Sequence, residues 1–286
     1  MKTKILGLVL VCGLTFIGCQ KEDLGSVADE AKINAKIDLA NDDVSDVVEN
    51  AYDATATNAN GRGLESATSQ NNLPACATVT RNPAFGTAVQ VGQTVTKTID
   101  FGTVGCPMAN GNVLKGQIIV TFVYQPTAAS QTINYEFVNF YHNDIKIEGN
   151  KNFTRTFEQN LPVVVMNMDL TATFPDGRMF DRVGTRTRKI IAGYNTPLNF
   201  YDNIYEVTGN WTTTYPNLPD QISTITSPLL VKISCAEINK PLIVQGVITF
   251  QRGTRTSTLN YGSGDCDNLA VFTINGNAYN IIIGNP

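Results

Sequence analysis

Pro162-Val-Val-Val-Met-Asn-Met-Asp-Leu-Thr-Ala-Thr-Phe174 alternates, with Val164, Met166, Met168, Leu170, Ala172 and Phe174 on one parity. A period of two is the signature of a strand with one face on a core. Asp176-Gly177 then marks a turn, and Arg178 to Ile191 runs back as a second strand. Arg178, Arg182, Arg186 and Arg188 share one parity of that returning run, forming a basic stripe provided Gly184 is not a bulge that switches faces. Such a stripe suits sulfate, carboxylate or phosphate groups on a glycan. It equally suits a solvated face that discourages edge pairing.

The same grammar extends in both directions. Strand-like runs recur at 93–101, 115–124, 132–140, 145–157, 204–213, 221–226, 229–234, 242–250, 254–261, 269–274 and 278–283. Asn275-Gly276 joins the last pair, and Asn-Gly between β runs is a strong hairpin signal because both turn residues need positive φ. No gap between runs has room for a crossover helix, so the sheet must be mostly antiparallel. The expectation is an all-β domain over 73–286, a meander or sandwich-like antiparallel sheet; barrel, sandwich and open sheet stay undecided.

An internal repeat bears on the fold. Thr96-Lys-Thr-Ile-Asp-Phe-Gly-Thr-Val-Gly-Cys106 aligns without a gap with Thr256-Ser-Thr-Leu-Asn-Tyr-Gly-Ser-Gly-Asp-Cys266. Cys76 precedes the first by 30 residues and Cys235 the second by 31. The spacing favours Cys76–Cys106 and Cys235–Cys266 as disulfides, each closing its own β unit; pairing of equivalent cysteines across the repeats is the alternative.

The N-terminus speaks of location. Lys2 and Lys4 precede a short apolar run, Ile5 to Ile17, as in a cleaved export signal over residues 1–18. Phe16-Ile-Gly-Cys19 resembles the lipobox of bacterial lipoproteins, which implies acylation of Cys19 and a membrane anchor. Gln20-Lys21-Glu22-Asp23 resembles the lysine-plus-acidic surface-export signal of Bacteroidota lipoproteins, which implies an outer-membrane lipid anchor facing the cell exterior. Residues 19–55 hold ten acids and three bases, and read as a solvating spacer. Within it Val44, Val47, Val48 and Ala51 recur at helical spacing behind Asn41, predicting a short amphipathic helix. Ala54 to Asn72 has linker composition, so 19–72 is expected to be an anchored arm with a helix and a flexible linker.

The body resembles a group of Bacteroidota outer-membrane lipoproteins through Ile99–Gly102, Thr154–Thr156, Gly184–Arg188 and Tyr261–Asn268. The likeness covers most of Cys76 to Ile283 and implies a shared fold, with no activity attached.

Candidate sites are few. His142 is the one histidine, and Asn143-Asp144 beside it reads as a turn, placing it at an exposed tip; no Gly-x-Ser-x-Gly elbow accompanies it. Asp265 and Asp267, in a glycine-rich loop with Asn268, offer oxygens to calcium or are ordinary turn residues. Trp211, with Tyr205 and Tyr215 nearby, could stack on a sugar or fill a core. No pair of carboxylates stands out for acid–base work. The body, with 15 acidic and 16 basic residues, has no basic footprint for nucleic acid. Taken together these readings predict a lipid-anchored surface protein presenting a non-catalytic β domain to a glycan or protein ligand, or for structural purposes. A carbohydrate-binding accessory protein is the alternative, and a secreted-type hydrolase has least support.

Overall fold

The computed structural model describes residues 24–59, 73–196 and 199–283. The signal-like segment, Cys19, the tetrad Gln20 to Asp23 and the linker over 60–72 lie outside the described residues. A helix, α1 (Leu24–Ala59), comes first. The strands are β1 (Thr78–Asn82), β2 (Thr94–Asp100), β3 (Cys106–Pro107), β4 (Val113–Val123), β5 (Ser130–His142), β6 (Ile145–Glu158) and β7 (Leu161–Thr173). They continue with β8 (Met179–Ala192), β9 (Ile204–Tyr215), β10 (Leu218–Lys232), β11 (Ile243–Arg252), β12 (Arg255–Ser263), β13 (Leu269–Ile274) and β14 (Asn277–Ile282).

The protein is an antiparallel meander in which each strand pairs with the next, except that the short β3 sits beside β4 and leaves β2 as the other neighbour of β4. The strand pattern read from sequence holds. Val164, Met166, Met168, Leu170, Ala172 and Phe174 are all buried on one face, while Asn167 and Asp169 point out to solvent. Asn275 and Gly276 turn the last hairpin at φ 50° and 77°. The runs at 221–226 and 229–234 are one strand, β10, whose register slips between Ile225 and Leu230, where Pro228 has no N–H to donate. β1 was not legible as a strand, because only Arg81 of its five residues is buried.

α1 departs most from expectation. It runs 36 residues, not one short stretch from Asn41, and it is not a spacer. Every residue from Ile37 to Val48 is buried, more than three consecutive turns, so the helix is covered on all sides. Its partners lie on β2, β5, β6, β8, β9, β10, β11 and β12, which one helix can reach only if the sheet curls around it. Ile33, Ile37, Val44, Val48 and Tyr52 join the inward faces of the strands in a single core, Tyr52 meeting Phe122 edge-on at 4.9 Å.

The repeat is structural as well as verbal. Ile99 and Leu259 are both fully buried, as are Phe101 and Tyr261 two residues on. Asp100 Oδ1 accepts from Gly102 N at 2.8 Å and Asn260 Oδ1 from Gly262 N at 2.9 Å, the same side-chain turn in both copies. The disulfides are Cys76–Cys106 and Cys235–Cys266, each within its own unit. A closed loop of that size contributes about 3–4 kcal/mol in the chain-entropy account.

Candidate functional site

The charged groups converge on α1. Arg178 Nη1 donates to Asp29 at 2.6 Å, and Arg182 Nη1 to Asp38 at 2.6 Å. Arg186 shares Asp38 and lies 3.8 Å from Asp42, while Arg188 takes Asp46 and lies 3.4 Å from Glu49. Arg155 pairs with Asp53, and Arg252 and Arg255 both reach Glu30. The match is geometric. Asp38, Asp42 and Asp46 step about 6 Å per four helical residues. Arg186 and Arg188 step about 6.6 Å per two strand residues. The ladder on β8 therefore keeps pace with the acids on the helix.

Gly184 introduces no bulge, so the arginines do share a face, but it is the face toward α1. Arg182, Arg186 and Arg188 are at most 2% exposed. The solvated-face reading and the glycan-gripping reading of these three are both corrected; their guanidiniums are committed internally. Only Arg178 is half exposed, at the open end of the row, held by Asp29 and Asp176. Trp211 is likewise interior, 1% exposed, its ring under Arg182 at 5.1 Å and Arg186 at 4.3 Å. It stands directly across from Gly184, where a Cβ would come within 2.4 Å of the Trp211 backbone, so the missing side chain makes room for this stack. Tyr205 lies under Arg188 at 3.6 Å.

Burial sets the protonation of this interior. It pushes Asp42 and Glu49 up to about 7 and Asp46 to about 6, against the pull of Arg186 on Asp42 and of Arg188 on all three. Asp42 Oδ2 has no hydrogen-bond donor among the described residues, which leaves its burial poorly offset. Lys151, donating to Asn41 Oδ1 at 2.6 Å, is pushed down to about 7 by burial and by Arg186 and Arg182. The linkage has a definite sign. Between the ordinary carboxylate range and pH 7 the folded protein holds more protons than the unfolded chain, so these acids lose stability as pH rises through 6 to 7. Lys151 acts the other way above pH 7, where the unfolded chain holds the extra proton. The expected result is a melting temperature higher at pH 5 than at pH 7, with the difference reduced in Asp42→Asn. Calorimetry across that range measures it, and a flat or rising profile contradicts it.

His142 is the other correction. It is 1% exposed, and Nε2 lies 2.7 Å from Asp43 Oδ2. The turn at Asn143 is where sequence placed it, with φ 53°, but the side chain one residue earlier points inward. Asp43 also accepts from Asn110 at 2.7 Å and Asn112 at 2.8 Å. The His142 Nδ1 side faces Asn143 Nδ2 at 3.5 Å, so neither ring nitrogen faces a serine, threonine or cysteine as a triad base must.

The chain matches no protein-family model, no curated protein and no solved structure.

A cleft of about 480 Å³, the open solvent at its mouth included, lies beside the C-terminal half of α1. Asp43, Asp46 and Asn50 form one side, Met108 to Asn110 another, and Phe200, Ile233 and Leu242 the third. Two carboxylates therefore do reach one cleft, a feature sequence did not single out. Both oxygens of Asp43 are engaged by side-chain partners, and one of Asp46 is held by Arg188, which ill suits them to exchange protons with a substrate.

Asp265 and Asp267 lie in the glycine-rich loop after β12, and no group of three or more His, Cys, Asp or Glu placed to hold a metal ion occurs among the described residues. Asp267 Oδ1 accepts from Leu269 N at 2.9 Å, and the Gly264 carbonyl already accepts from Lys232 Nζ at 2.7 Å. Asp267 acts as a turn residue, its side chain capping the backbone two residues on.

Proposed function

We propose that this chain is a lipid-anchored cell-surface protein whose β domain serves binding or structure and carries out no reaction. The reading rests on one observation. The groups with catalytic or glycan-gripping potential, namely His142, Trp211 and the arginines at 182, 186 and 188, are spent on holding α1 inside the sheet. Outward positions such as Asn167, Asp169 and Thr185 are polar, with Phe157, Met179 and Val183 exposed among them. Two disulfides suit an exported protein. The membrane attachment comes from the lipobox-like Phe16 to Cys19, since two or more acyl chains give stable anchoring where one is marginal. The exterior orientation comes from the Lys21-Glu22-Asp23 signal.

Protease treatment of intact cells tests the reading. Wild-type protein should be shaved from the surface, while a Lys21/Glu22/Asp23→Ala variant, still acylated at Cys19, should be protected. Protection of both despite acylation places the protein on the inner side and overturns the surface assignment.

A further inference from the structure

The cleft beside α1 has three properties that together describe a ligand. It is braced: Met108 lies two residues from Cys106, and Cys235 lies between Ile233 and Ala236, so each disulfide fastens one wall. Preformed walls avoid the ordering cost that a ligand would otherwise have to offset. It is apolar at its sides, through Met108, Phe200, Ile233 and Leu242. It is acceptor-rich at its base. Asp46 lines the cleft with its side chain 10% exposed, and its Oδ1 accepts from Arg188. Asn50, half-buried beside it, adds a carbonyl acceptor.

We infer that this cleft binds a small organic amine, its ammonium on Asp46 and Asn50 and its apolar body between Met108, Phe200 and Ile233. Charge decides the class. The basic groups nearest this carboxylate row, Arg186 and Arg188, reach it from β8, and His142 is turned to Asp43, so among the described residues no lysine or arginine lines the cleft itself. An anion would meet two carboxylates at the base. A neutral alcohol would satisfy Asn50 and leave the Asp46 charge with Arg188 alone.

Benzylamine, benzyl alcohol and benzoate titrated into the full chain, followed through the Met108 methyl resonance, test this directly. Benzylamine should give a saturable shift at millimolar concentration, and benzyl alcohol should bind at least about tenfold more weakly, equivalent to about 1.4 kcal/mol. Benzoate should give none. Asp46→Asn should erase the preference for amine over alcohol. Because that change also frees Arg188, Ala109→Trp at the exposed rim provides a second arm: it should block benzylamine while leaving the melting temperature unchanged. Equal binding of amine and alcohol, a benzylamine shift that survives Ala109→Trp, or no shift at all overturns the proposal. None of these outcomes depends on where the protein resides, so the surface assignment stands or falls separately.

Discussion

Asp38→Ala is expected to lower stability by about 3–5 kcal/mol, the range for removing one partner of a buried ion pair. Asp38 is fully buried and serves Arg182, Arg186 and, at 3.4 Å, Tyr261 Oη. Without it Arg182 is left with Asn34 Oδ1 at 2.8 Å, Arg186 with Asp42 at 3.8 Å, and both with the stack on Trp211. For a chain of this size each kcal/mol moves the melting temperature by about 2–4 °C, so a drop on the order of 10 °C should appear in calorimetry. Asp144→Ala makes the control. Its side chain is 83% exposed and 3.9 Å from Lys115, so it should stay within about 0.5 kcal/mol of wild type. Were the acidic segment a solvated spacer, the two variants would behave alike.

Trp211→Ala should cost a similar amount, about 3–5 kcal/mol for a large aromatic removed from a core. The indole fills the space that Gly184 leaves on the facing strand and covers two guanidiniums. Its Nε1 donates to nothing among the described residues, so Trp211→Phe keeps the aromatic face, removes an unpartnered N–H and should cost much less. Urea unfolding followed by circular dichroism gives both values. A Trp211→Ala protein as stable as wild type would mean that the residue sits on the outside, as a sugar-stacking platform would require.

The β architecture was legible because a strand declares itself through a period of two, and β7 shows it from Val164 to Thr173. The turn at Asn275-Gly276 followed from an equally local signal, and the disulfide pairing from the matched cysteine spacing in the two repeats. The helix was not legible, for a physical reason. Amphipathic analysis looks for an apolar face set against a polar one, whereas α1 buries Asn34, Asp38, Asn41, Asp42 and Asp43 as thoroughly as Ile37 and Val44. Acids clustered near an N-terminus look like solvation until their partners are known. The signal was present in two separated places, Asp38, Asp42 and Asp46 at helical spacing and Arg182, Arg186 and Arg188 at strand spacing. Neither periodicity points to the other, and only the fold brings 144 residues of separation down to a 2.6 Å bond between Asp38 and Arg182. His142 was misplaced by the same limit: a turn can be read locally, while the side on which its neighbour lies depends on register.

Hydrogen–deuterium exchange of the intact protein tests most directly whether α1 is enclosed. Amides from Ala31 to Val48 should exchange as slowly as those of β7 and β8, opening only with the whole fold. Exchange of that helix within seconds, while the strands stay protected, would show a helix free in solvent and would contradict the account.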